Sequence, residues 1–195
     1  LSPALVPFET AELEIVKSLQ GLSLKNVEAT VSNGKKELYR DFGEMLFTHF
    51  GVSGPLMLSA SSFCAKAIAK NLLKLSIDLK PALTEEQLDE RILRDFAEAK
   101  NKQFKNSLNH LYPAKLVPVI IERSGIDPDK QVNEITKEER RRLVETTKAL
   151  TFTLTGLRPF KEAIITHGGV DVKGINPSTM EAKKAENLYF AGEVL

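Results

Sequence analysis

The feature that most constrains the fold is a change of hydrophobic period that occurs twice along the chain. Residues 12–48 and the stretch from Thr151 onward read as strands, whereas residues 82–150 carry apolar positions at helical spacing. Strands, then helices, then strands, with no repeated βαβ unit, point to an α+β fold and away from a doubly wound sheet. The simplest architecture is a β-barrel or sandwich whose chain leaves near Pro81, builds a helical subdomain and returns near Thr151. Antiparallel closure would hide the edges of so many short strands.

In the first block "AELEIVKSL", "LKNVEATV" and "KELYRDFGEMLFTHF" are expected strands. Asn33-Gly34, between the last two, is a strong hairpin signal because both turn positions must tolerate positive φ. Ser53 is the expected N-cap of a helix with Pro55 in its first turn and Leu56, Ala60, Cys64 and Ala67 on one face. "LLKLSIDLKP" alternates Leu73, Leu75, Ile77 and Leu79, a half-buried strand that Pro81 ends. Thr84 with Gln87, and Thr136 with Glu139, have the capping-box pattern. The first box opens a helix with the stripe Leu88, Ile92, Leu93 and Phe96, and the second a helix that includes Leu143 and Val144. Two shorter helices are expected between them, broken near Pro113, with Pro118 either kinking the second or marking its start. "LTFTLTGLRPF", "EAIITHGGV" and "NLYFAGEVL" read as returning strands.

Charge narrows the partners. Lys plus Arg number 27 against 26 for Asp plus Glu, and the balance holds by segment: 9 and 8 in residues 1–81, 13 and 13 in 82–150, 5 and 5 in 151–195. No segment is a basic patch by count, so neither nucleic acid nor an anionic membrane surface is an expected partner. No apolar run approaches the roughly 20 residues that span a bilayer. Cys64 is the single cysteine, which excludes an internal disulfide and fits a cytoplasmic location. The chain starts on Leu1 without a signal-peptide pattern and stops on the strand-like "LYFAGEVL". Both ends lead to the expectation of a piece of a longer protein.

Few residues carry chemistry by spacing alone. His49, His110 and His167 are far apart and lack metal-ligand spacing, so no metal site is expected. Cys64 falls on an apolar helix face and reads as a small buried hydrophobe. "KEERRRLVE" alternates signs and reads as a solvated helix face, although its position also fits a helix-turn-helix. "LFTHFGVSGP" runs from a strand through Thr48, His49, Gly51, Ser53 and Gly54 into a helix start. Such a junction either gathers backbone N–H groups toward a polar ligand or is simply a tight turn. Gly168-Gly169 poses the same alternative: close approach of a ligand, or a turn.

"PALVPF", "LFTHFGVSGP", "AIITHGGV" and "INPSTMEAKKAENLYFAGEVL", in this order, resemble the BaiN-like (YhiN-like) bacterial flavoprotein oxidoreductases over essentially the whole chain. Ala182 stands where that pattern has Ser. The resemblance implies an insertion within a dinucleotide-binding domain that holds FAD. It also implies a six-stranded antiparallel Greek-key β-barrel of the translation-factor kind, with an inserted α-helical subdomain. The chain has no G-x-G-x-x-G fingerprint, so the pyrophosphate-binding half of the cofactor site is expected outside it.

The expected division is barrel over 1–81, helical subdomain over 82–150, return to the barrel and crossover over 151–184, and an edge of the FAD-binding domain over 185–195. By the resemblance Thr166, Gly168, Gly169 and Val170 pass the flavin ring, and Gly192 and Glu193 lie by its ribityl and phosphate portion. Thr48 and His49 are the candidate substrate contacts, and no catalytic residue is assigned. The cofactor is FAD, with NAD(P)H as an allowed electron donor. The partners are the FAD-binding domain of the same chain and a small-molecule substrate. The expected function is one wall of a flavin and substrate pocket, not catalytic alone; the alternative is a non-catalytic protein- or nucleic-acid-binding module.

Overall fold

A barrel closes on three-residue strands. In the computed structural model, which describes residues 2–194, the barrel order is β2 (Phe8–Thr10), β5 (Gly51–Ser53), β4 (Lys36–Phe47), β3 (Ser23–Asn33), β6 (Leu73–Asp78) and β7 (Leu150–Leu157), with β7 pairing back to β2. Every pairing is antiparallel. β3, β4 and β5 form a meander, β2 returns beside β5, and β6 lies against β3, so the connections are Greek-key. The expected α+β fold with a six-stranded barrel is present. Leu1 and Leu195, the outer bounds of the expected first and last segments, lie outside the described residues.

Alternation builds the barrel interior. Val27, Ala29 and Val31 of β3, Met45 and Phe47 of β4, Leu73, Leu75 and Ile77 of β6, and Leu150, Phe152 and Leu154 of β7 are all buried. Phe47 and Phe152 meet at a ring separation of 5.5 Å. Burying each large side chain contributes about 1.5–3 kcal/mol. The expected β3–β4 hairpin forms, but its turn sits one residue later than Asn33-Gly34: Asn33 pairs with Lys36, and the turn is Gly34-Lys35 with Gly34 at φ 58°.

α1 (Leu13–Ser18) corrects one expectation, because "AELEIVKSL" is a helix and not a strand. Leu13 and Ile15 mimic a period of two, but the buried residues are Val16 and Leu19, three apart. α2 (Pro55–Ile68) starts one residue later than expected: its N-cap is Gly54, and Ser53 ends β5. α2 packs on β4 and reaches β1 (Ser2–Ala4), burying Leu56, Met57, Ala60 and Cys64. β1 pairs with β8 (Ile165–His167) as a separate two-stranded sheet.

Between β6 and β7 lie α3 (Glu85–Glu98), α4 (Val117–Ser124) and α5 (Lys137–Lys148). Both capping boxes are complete: Thr84 accepts from Gln87 N–H and Thr136 from Glu139 N–H, each with the return bond to the N-cap N–H. Leu93 departs from the expected stripe and is exposed, while Leu88, Ile92 and Phe96 are buried. Of the two short helices expected between the boxes only α4 is an α-helix. Pro118 marks its start, and the upstream segment is a 3-10 turn at Phe104–Asn106 followed by irregular chain. The helical core is continuous with that of the barrel. At the junction Leu79 N–H donates to Thr147 C=O, and Lys148 pairs with Asp78.

The last expected strand, "NLYFAGEVL", does not form among the described residues. An isolated bridge, Glu181 with Tyr189, and the bond from Val170 N–H to Val194 C=O hold this segment without a ladder.

Candidate functional site

The turn after β4 is built by one hydroxyl. Thr48 Oγ1 accepts from Gly51 N–H at 3.1 Å, and Thr48 N–H donates to Gly51 C=O at 2.9 Å. Thr48 is thus spent on holding its own turn, while His49 is exposed and stacks edge-on against Phe50 at 4.9 Å. Gly51 is fixed by packing, since a Cβ there would sit 2.1 Å from Phe8 C=O.

Beside this turn lies an ion cluster that spacing did not reveal. The Arg158 guanidinium stands 4.5 Å above the Phe50 ring, with Glu9 at 2.8 Å and Glu162 at 2.6 Å. Glu162 is held below the ordinary carboxylate range chiefly by its hydrogen bond to Arg158, against desolvation, with the charges of Arg158, Lys161 and His49 adding to the effect. Arg158 is correspondingly raised by Glu162 first and Glu9 second. The signal available in sequence was only the Arg-Pro step of "GLRPF", because Glu9 is 149 positions away.

Arg158 leads directly into β8. Arg158 N–H donates to Pro7 C=O and Ile164 N–H to Leu5 C=O, so the chain is stitched alongside residues 2–7 before reaching Thr166, which pairs with Pro3. Gly168 follows at φ 99°, and Val170 N–H donates to Val194 C=O at 2.8 Å. That bond brings Gly168, Gly169 and Val170 together with Gly192 and Glu193. Among the described residues no hydrogen bond joins either group to Thr48 or His49.

Thr166, Gly168, Gly169, Gly192 and Glu193 are all exposed. Only one edge of β8 is paired, and the glycines carry no side chain to cover their peptide groups. This fits one face of a site for a planar ligand with a polar rim such as a flavin. It does not enclose one. Around it Ile164, Ile165, Val172, Leu188, Tyr189 and Val194 are exposed, an unusual concentration of large apolar side chains for a solvent-facing surface.

The remaining sequence candidates are structural. Cys64 is buried, and desolvation pushes its thiol up to about 11. Among the described residues no group of three or more His, Cys, Asp or Glu is placed to hold a metal, and no helix is long and apolar enough to cross a membrane.

Residues 2–165 match the family described as HI0933-like protein barrel and H2TH domain. Curated relatives include ribosomal RNA dihydrouridine synthases of Haemophilus influenzae, 34% identical over 98% of this chain, and of Escherichia coli, 30% identical over 98%. A 3-dehydro-bile acid delta(4,6)-reductase of Clostridium scindens is 26% identical over 99% of the chain. The chain spans about half the length of these relatives, 45% of each of the first two and 47% of the third. A barrel, a helical segment returning to it and motif resemblance along the whole chain converge on one assignment: the chain belongs to the HI0933-like family, the BaiN-like flavoproteins that its motifs resemble.

Proposed function

We propose that this chain is the substrate-side barrel and helices of an FAD-dependent oxidoreductase that acts on ribosomal RNA, with one wall of the flavin and substrate pocket on its β8 side. The observation that carries the reading is the match to two ribosomal RNA dihydrouridine synthases over 98% of the chain, at higher identity than to the bile acid reductase. These names reopen nucleic acid as a partner, which charge counting had set aside.

FAD bound against this face would supply a reducing hydride, ultimately drawn from NAD(P)H. The chain's own part is to bind and orient. Open peptide groups of Thr166, Gly168, Gly169 and Val170 would face the ring, and Gly192 and Glu193 would lie by the ribityl and phosphate portion. Thr48 would fix the turn that presents His49 and Phe50 on the substrate side, braced by Arg158. The exposed apolar strip around Tyr189 would be covered by the flavin-binding domain, which keeps water from the reacting atoms. In this reading residues 1–81 and 151–184 form the barrel and crossover, 82–150 the helical subdomain, and 185–195 the edge of the flavin-binding domain.

The test is the dihydrouridine content of ribosomal RNA, measured by mass spectrometry in the source organism with the gene disrupted. Loss of the modification is expected, with restoration by the full-length protein and none by residues 1–195 alone. Unchanged dihydrouridine after disruption would overturn the reading.

A further inference from the structure

Residues 82–150 are neutral by count, but the structure sorts their charges. On α5 and its surroundings four carboxylates are taken up: Glu139 by Lys130, Glu138 and Glu145 by Arg141, and Asp89 by Arg140. Around the C-terminal half of α3 the cations outnumber the carboxylates. A cleft of ≈ 550 Å³ there is lined by Arg91, Arg94, Lys102 and His110, against Asp95 and Glu98. Asp95 is turned onto Arg91, both carboxylate oxygens lying 3.0 and 3.1 Å from Nε. Arg94, Lys102 and Glu98 are exposed and, among the described residues, enter no ion pair, which leaves two free cations against one free carboxylate. Asn106 and Asn109 add amide donors and acceptors to the same wall.

The cations continue beyond the cleft. Directly after His110 in sequence, Leu111, Tyr112, Pro113 and Leu116 line a second depression of ≈ 150 Å³, which also holds Lys80 and Lys25. Lys115 stands beside it, its Nζ donating to Gln20 C=O. Desolvation first, and the charge of Arg91 second, lower Lys80 from its ordinary value. This track runs from the helical segment onto β3 of the barrel. The first depression is mostly polar, whereas the second sets Lys25 and Lys80 among Leu24, Val27, Leu79 and Leu111.

We propose that this track, from Arg94 and Lys102 past Lys80 to Lys25, holds the phosphate backbone of folded RNA. The proposal rests on the RNA reading given above. Phosphate contacts by lysine and arginine position a nucleic acid without reading its sequence, which suits a surface that must present one base to a separate reacting face. An acidic protein is the competing occupant, and hairpin binding that the cleft variants leave unaltered is the outcome that favours it.

The experiment uses the full-length flavin-loaded protein and a ribosomal RNA hairpin, with binding followed by fluorescence anisotropy across a salt series. Arg94→Glu with Lys102→Glu is expected to weaken binding at least tenfold and to reduce the slope of log K against log salt by about 1.5, since each lost phosphate contact removes roughly 0.7–0.9. Lys66→Glu with Lys70→Glu, exposed at the end of α2, should leave both unchanged, and Arg94→Lys with Lys102→Arg should retain binding. Equal flavin content in all variants checks folding, and Arg94→Ala with Lys102→Ala replaces the reversal if it fails that check. Salt-dependent binding by the wild type that the cleft variants do not alter would overturn the track and leave the RNA reading standing. No salt-dependent binding by the wild type would overturn both.

Discussion

Gly54 occupies a backbone conformation that only glycine adopts readily, with φ 89° and ψ 168°. A Cβ would also meet Leu46 N at 2.9 Å and Met45 Cα at 3.0 Å. Both costs act on the same bond between β5 and α2, so the residue is fixed by geometry as well as by packing. Gly54→Ala is expected to destabilise by about 1–3 kcal/mol from the backbone alone, with further loss from the contact, read as a lowered urea midpoint. At the same scale the sequence showed the glycine turn but not its neighbour Arg158. The turn is local, whereas Arg158 acquires meaning only when β2 and β7 pair and bring Glu9 to it.

Helix starts were the most legible elements because their chemistry closes within four residues. Thr84 and Thr136 each satisfy an otherwise orphan N–H, and each is expected to cost about 1 kcal/mol when changed to Ala. The two caps share no partner, so the double variant should lose the sum in chemical denaturation. Elements set by distant partners were less legible. α1 was misread because two alternating apolar residues outweighed the Val16–Leu19 spacing. The last segment carries strand-forming side chains, yet single bonds, Glu181 with Tyr189 and Val170 with Val194, hold it in place of a ladder. The candidate flavin face was visible only as glycines and a resemblance. Its two halves meet through the bond from Val170 to Val194, which no local pattern encodes.

Across the whole molecule barrel and helices share one core, and the Lys148–Asp78 ion pair ties α5 to β6. Glu139 is held below the ordinary carboxylate range, first by its hydrogen bond to Lys130 and then by the Thr136 N–H. A depressed folded value contributes stability above the unfolded carboxylate pKa of about 4.3, and that contribution is lost as pH falls through the lower folded value. Urea midpoints measured from pH 7 down to pH 3 should therefore fall. In Glu139→Gln, which keeps the capping pattern, the fall should be shallower. The larger consequence lies where the helical segment joins the barrel. Its two ends emerge beside the paired residues Ile77 and Leu150, with Leu79 bonded to Thr147 across the gap. Topologically the helices are the contents of one hairpin loop. A barrel that opens and closes its longest excursion at a single antiparallel step can exchange what that excursion carries without shifting any strand.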